Sequence, residues 1–203
     1  MRRPALLLSF VLHPLFMPLL TLWAILHLDP HVGYFLPPSA QLTLLGMVAI
    51  MTCAFPAISV LLLRRVGLIT SLELPRREER IVPYLMTMLY TGMALYLMLR
   101  IPLHPIAYAL FIGILCAMAI SAITTIWWKI SAHMVGIGGL SGALFALWSV
   151  HGLDLFLPIA LVILVGGILG TARLLTSDHT HAQVQGGWLL GLACTYGSAL
   201  LIG

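Results

Sequence analysis

Residues Pro105 to Trp128 read PIAYALFIGILCAMAISAITTIWW, twenty-four positions without one acidic or basic side chain. About 20 residues of helix cross the roughly 30 Å hydrocarbon core of a bilayer, so this stretch is long enough to span it. Lipid offers no partner to backbone N–H and C=O groups, and a run of this length satisfies them only as a helix. Outward from it the pattern repeats over Ala5–Leu28, Gln41–Leu63, Pro83–Leu99, Met134–Val150, Leu155–Ala172 and Gly186–Ile202. The third, fifth and last of the seven runs are short. The fold expected is an all-α, polytopic transmembrane bundle of six or seven spans.

Composition excludes most alternatives. Of the 203 residues 61% are hydrophobic and 8% charged, with a mean hydropathy of +1.08; a soluble domain carries about 25% charged residues. The spans consume the length, so residues 1–203 form a single integral membrane domain. The formal charge of +4 is therefore a topology signal and not a nucleic-acid one. Cys53, Cys116 and Cys194 sit in apolar runs without metal-type spacing and are read as packing residues. Met1-Arg2-Arg3 introduces a retained first span, since no small-residue cleavage site follows. Turn chemistry breaks the chain at Asp29–Gly33, Pro37-Pro38, Arg100–Pro105 and His151–Asp154. Pro14, Pro18 and Pro56 are expected to kink their spans. Gly136, Gly138, Gly139 and Gly142, and again Gly166, Gly167 and Gly170, offer smooth helix faces.

Alternating crossings sort the charges. One face collects Arg2, Arg3, Arg64, Arg65, Arg76, Arg77, Arg80, Lys129 and Arg173; the other holds Arg100 alone. The arginine-rich face also collects Glu73, Glu78, Glu79, Asp178, His133, His179 and His181. By the positive-inside rule it is cytoplasmic, and the location expected is the bacterial inner membrane. Arg64 and Arg65 are read as topology anchors, and Trp127 and Trp128 as an interfacial aromatic belt. His13, beside Pro14, is either functional or a buried histidine bonded to a neighbouring helix. His27, His31, His104 and His151 fall at the opposite ends and are read as interfacial.

Guanidinium groups bind phosphate oxygens through a planar fork and stay charged, and imidazole serves as nucleophile or proton donor near neutral pH. Arginines and histidines converging from separate loops suggest a phosphoryl-transfer site at the lipid surface. Three short motifs carry it. Glu73 is followed by six residues and Arg80-Ile81; Ile130-Ser131-Ala132-His133 comes next; Ala172-Arg173 is followed by five residues, His179, three residues and Gln183.

Over residues 73–183 this order and spacing resemble the type 2 phosphatidic acid phosphatase superfamily, which includes the vanadium haloperoxidases. Its motifs are lysine, six residues, Arg-Pro; Pro-Ser-Gly-His; and Ser-Arg, five residues, histidine, three residues, aspartate. The resemblance implies that His179 is the nucleophile forming a phosphohistidine and that His133 protonates the leaving alkoxide. It also implies that Arg80 and Arg173 clamp the phosphate and that Ser131 donates to the same oxygens. Two departures stand out. Glu73 replaces the lysine, with Arg76, Arg77 or Lys129 as the available substitute charge. Gln183 replaces the aspartate: it can accept from the ring N–H but adds no charge.

The expected activity is hydrolysis or transfer of a lipid phosphate monoester or diphosphate, without metal or cofactor, since the arginines neutralise developing charge. The expected partners are the lipid phosphate and membrane lipids. A zinc reading of His179 and His181 finds only His133 as an obvious third ligand. The other function class compatible with Glu73 and Gln183 is a protein that binds a lipid phosphate without cleaving it.

Overall fold

In a computed structural model, which describes residues 2–71, 78–176 and 179–203, the chain is a helical bundle with no strand among the described residues. The helices are α1 (Arg2–Val11), α2 (Met17–Leu28), α3 (Pro30–Gly33), α4 (Pro38–Ala49), α5 (Phe55–Arg65), α6 (Ile81–Met98), α7 (Pro105–Thr125), α8 (Ala132–His151), α9 (Phe156–Leu175) and α10 (His181–Ile202). Among the described residues six segments are long and apolar enough to cross a membrane: Pro4–Leu28, Pro38–Arg65, Glu78–Met98, Pro105–Thr125, Ala132–His151 and Phe156–Leu175. The chain is therefore a multi-pass membrane protein. Its outer surface bears Leu42, Leu89, Leu164 and Leu189, all exposed, while Asp29, Arg80, Arg173 and His179 are buried. That inside-out distribution suits a lipid solvent.

The first two spans are interrupted near Pro14 and Pro56, while Pro18 sits in the first turn of α2. α1 stops at Val11, and a 3₁₀ turn over Pro14–Phe16 joins it to α2. His13 caps that turn, its Nδ1 accepting from Leu15 N at 3.3 Å. In the second span Pro56 has no N–H to give the preceding turn. The backbone widens there into a π turn over Ile50–Ala54, and Cys53 donates its thiol to Leu15 O at 3.1 Å.

The last helix carries His181, Gln183 and Gln185 in its first turns and packs closely against α8 and α7. α10 runs parallel to α8, and glycines on both sides bring the backbones into contact. A Cβ at Gly191 would collide with the Val135 carbonyl, one at Gly138 with Trp188 O, and one at Gly187 would lie 2.8 Å from Ser131 O. Thr195 donates across the seam to Gly139 O at 2.9 Å. α7 closes the other side, where a Cβ at Gly113 would stand 2.6 Å from Cys194 O. Near the far end a core of Leu22, Ile25, Met98, Phe111 and Leu147 is sealed from solvent. All three short candidates lengthen: the third begins at Ile81 instead of Pro83, the fifth fills Ala132–His151, and the last begins at His181 instead of Gly186. The second glycine stripe behaves differently from expectation. Gly167 faces open space, because only Gly166 and Gly170 on that helix turn inward.

Gly191→Ala is expected to destabilise the bundle by about 1–3 kcal/mol, the usual penalty of an overpacked core. Gly167→Ala should be neutral or stabilising by up to about 1 kcal/mol, since alanine is the better helix former. Thermal denaturation of both variants in the same detergent checks the contrast.

Candidate functional site

The site is assembled where α6, α8 and α10 begin and α1 and α9 end. Breaking α1 at Val11 leaves its final carbonyls without intrahelical donors. His133, in the first turn of α8, uses one of them: its Nε2 lies 3.0 Å from Ser9 O. A carbonyl only accepts, so this nitrogen carries the proton and Nδ1 keeps the free lone pair. Arg173, in the last turn of α9, donates from Nη1 to Ser9 Oγ at 3.2 Å. One serine of the first span thus holds both a histidine and an arginine of the motifs. His13 joins them, its ring edge-on to His133 with centroids 5.5 Å apart.

His179 stands immediately before α10. Thr180 and Gln183 form a capping box there: Thr180 Oγ1 accepts from Gln183 N, and Gln183 Oε1 accepts from Thr180 N at 3.2 Å. This pins the amide with its oxygen toward the helix start. The same Oε1 lies 3.2 Å from His179 Nδ1, so Nδ1 must be the protonated nitrogen. Nε2 is left with its lone pair. Burial, then the charge of Arg173, with smaller contributions from Arg80 and Lys129, pushes the His179 pKa down to about 4, against a raising contribution from Gln183. The imidazole is neutral at physiological pH.

The structure therefore brings His133, His179, Arg173, Arg80, Lys129 and Gln183 to one end of the bundle. His133 is in electrostatic range of Arg173, His13 and His179; His179 is in range of Arg173, Arg80 and Lys129. Arg80, in the Glu78–Arg80 turn ahead of α6, and Arg173 are both only 8% exposed. Ser131 is tied to the same place by its N–H, which reaches Gln183 O at 3.4 Å. It is the N-cap of α8, yet its side chain caps nothing. Its buried hydroxyl has no hydrogen-bond partner among the described residues. Serine at an N-cap ordinarily accepts from the first turn; this one instead leaves its buried hydroxyl to find another partner. Arg77, Arg76, Glu73 and Asp178 lie outside the described residues.

Sequence reasoning missed Ser9 and Thr180. Thr180 was detectable, because Thr-x-x-Gln ahead of a helix is a capping-box signature. Ser9 gave no signal, since its role depends on the break four residues later and on packing against α8 and α9.

With the geometry in view, comparison of the chain with protein-family models, curated proteins and solved structures finds no match.

The lowered pKa of His179 makes stability depend on pH. Its folded value of about 4 lies below the ordinary 6.5, so the unfolded chain binds the extra proton first. The contribution is complete above about pH 6.5 and is lost as pH falls toward 4. Arg173→Met removes a charge that opposes protonation. In ¹⁵N NMR of labelled imidazole, it should move the His179 midpoint upward. The wild type should show protonated Nδ1 and bare Nε2 at pH 7; the reverse tautomer would overturn the assignment.

Proposed function

We propose that this chain is a membrane lipid phosphatase or phosphotransferase that cleaves a lipid phosphate monoester or diphosphate through a phosphohistidine on His179. The observation that carries this reading is the fixed Nδ1–H tautomer of His179, which leaves a neutral, nucleophilic Nε2 beside buried Arg173. The N-termini of α6, α8 and α10 and the cations Arg80, Arg173 and Lys129 gather at this end of the bundle, and both kinds of feature favour an anion. The reading also rests on the motif resemblance, which covers these same residues.

In the proposed step, His179 Nε2 attacks phosphorus and the ester P–O bond breaks. His133 gives a proton from Nδ1 to the departing alkoxide. A bound phosphate adds the negative charge that favours protonating that nitrogen first. Water then attacks the phosphohistidine, with His133 taking back a proton, and frees inorganic phosphate. Arg80 and Arg173 clamp the equatorial oxygens, Ser131 donates to one of them, and Lys129 supplies the charge that Glu73 does not. The acyl or prenyl chain lies along the apolar bundle.

Gln183 favours a second reading. It fixes the tautomer but carries no charge to balance the imidazolium formed by phosphorylation, which suits a protein that holds a lipid phosphate and turns it over slowly or not at all. Purified protein in detergent, given phosphatidic acid or a prenyl diphosphate, should release phosphate, and His179→Ala should abolish release. Gln183→Asp should accelerate it by tenfold or more, a change of about 1.4 kcal/mol in the barrier. Silence in the wild type, with lipid phosphate still co-purifying, would decide for binding without cleavage.

We place the site on the cytoplasmic face of the bacterial inner membrane, because Arg64 and Arg65 flank it against Arg100 opposite. In a cysteine-free background, Leu68→Cys, exposed in the connection after α5, should resist a membrane-impermeant thiol reagent in intact cells. Ready labelling would reverse the orientation.

A further inference from the structure

The opposite end of the bundle carries a second cluster that the motifs do not include. Asp29, between α2 and α3, has a side chain with no exposure to solvent. Its Oδ1 accepts from His31 N at 2.9 Å and faces His31 Nδ1 at 3.1 Å. Its Oδ2 is hydrogen-bonded to Nδ1 of His151, the last residue of α8. The His31 and His151 ring centroids are 4.9 Å apart. These histidines, read from the sequence only as interfacial, share one buried carboxylate.

We propose that Asp29, His31 and His151 form a binding site for a divalent transition-metal ion, zinc by the character of its donors. One ligand atom from each lies within 4.8 Å of the other two. Atoms bound to one zinc ion at about 2.0–2.1 Å in tetrahedral geometry stand about 3.3 Å apart, so a small contraction completes the site. Two imidazole nitrogens and a carboxylate oxygen are the borderline donors that zinc accepts and that calcium or magnesium do not prefer. The ion would replace two donated ring protons and balance a carboxylate that is otherwise buried against hydrogen bonds alone.

Three protein ligands leave a fourth position for water, and His31, with 58% of its side chain exposed, opens a path from solvent. His104 is adjacent, its ring centroid 4.8 Å from that of His151, but it is not a ligand. Its Nδ1 accepts from Ile106 N, so Nε2 holds the proton. The ion would pin the α2–α3 connection to the end of α8. His133 and His151 lie eighteen residues apart on one helix, about 27 Å at 1.5 Å per residue, so the site is independent of the phosphate site.

The test uses the full, untagged chain in detergent, stripped with a chelator and titrated with zinc chloride alone. Bound metal is counted by elemental analysis and affinity measured by calorimetry. One zinc per chain is expected, and His31→Gln and His151→Gln should each weaken it at least about tenfold, the loss seen even for residues that merely support a ligand. His133→Gln and His181→Ala should leave it unchanged. Because His31 is exposed, His31→Gln should fold normally, which helical content and melting without zinc will verify. Absence of zinc from the wild type overturns the proposal and leaves a carboxylate–imidazole latch. So does zinc that survives both ligand substitutions or is lost with His133→Gln.

Discussion

The backbone contact between α8 and α10 is the constraint on which the site depends. Lipid supplies no hydrophobic drive for helices to associate, so close packing and interhelical hydrogen bonds must hold them. Gly138 and Gly142 on one helix and Gly187 and Gly191 on the other permit that approach. Thr195 adds a hydrogen bond across the seam. The seam fixes more than stability. Gly187 lies against the Ser131 carbonyl, and Ser131 N–H reaches Gln183 O. The N-termini of α8 and α10 are thereby locked side by side, and with them His133 and His179. A larger residue at Gly187 would push these two helix starts, and the two imidazoles they carry, apart.

Around that seam, helix ends set the protonation states. His133 serves the orphan carbonyl left by the break in α1, and this gives it a protonated Nε2. His179 faces an amide oxygen already held by a capping box, and this gives it a protonated Nδ1. The two rings therefore present opposite nitrogens as free lone pairs. Neither tautomer is chosen by a charged partner. Both follow from the rule that helix termini leave backbone groups needing partners, which in a lipid environment side chains must meet. Arg173 connects the two through Ser9.

The spans and the arginine-rich face were legible because hydrophobic run length and charge bias are properties of the chain itself. Arg173, His179 and Gln183 were legible as a set because their spacing survives one helix-to-helix connection. The end of α9, two residues past Arg173, and the start of α10, two past His179, both fall inside that motif. The role of Ser9 was not legible, since nothing near it in sequence names a partner on α8 or α9. The Asp29 cluster was hidden for the same reason. His31 is two residues from Asp29, but His151 is over a hundred positions away, and only the folded bundle brings the rings together. The openness of Gly167 was also invisible, because a glycine stripe does not say which of its members turns toward a neighbour.

Glutamine at 183 separates two duties that an aspartate would combine. One is geometric: an acceptor must hold Nδ1–H so that Nε2 is bare. The other, on the proposed phosphoryl transfer, is electrostatic: a negative charge would offset the cation formed if Nε2 bonds to phosphorus. An amide free to rotate could offer its NH₂ to the ring and fix the wrong tautomer, which is how a neutral replacement usually ruins a histidine–carboxylate pair. Here the Thr180 N–H holds the amide oxygen in place, and the geometric duty is kept. The electrostatic one is not, and nearby Arg173, Arg80 and Lys129 add positive charge. On that proposal, a phosphate dianion entering the site would supply the negative charge that residue 183 lacks. The cations that make His179 hard to protonate would thus also make a bound phosphate the counter-charge on which the proposed chemistry relies.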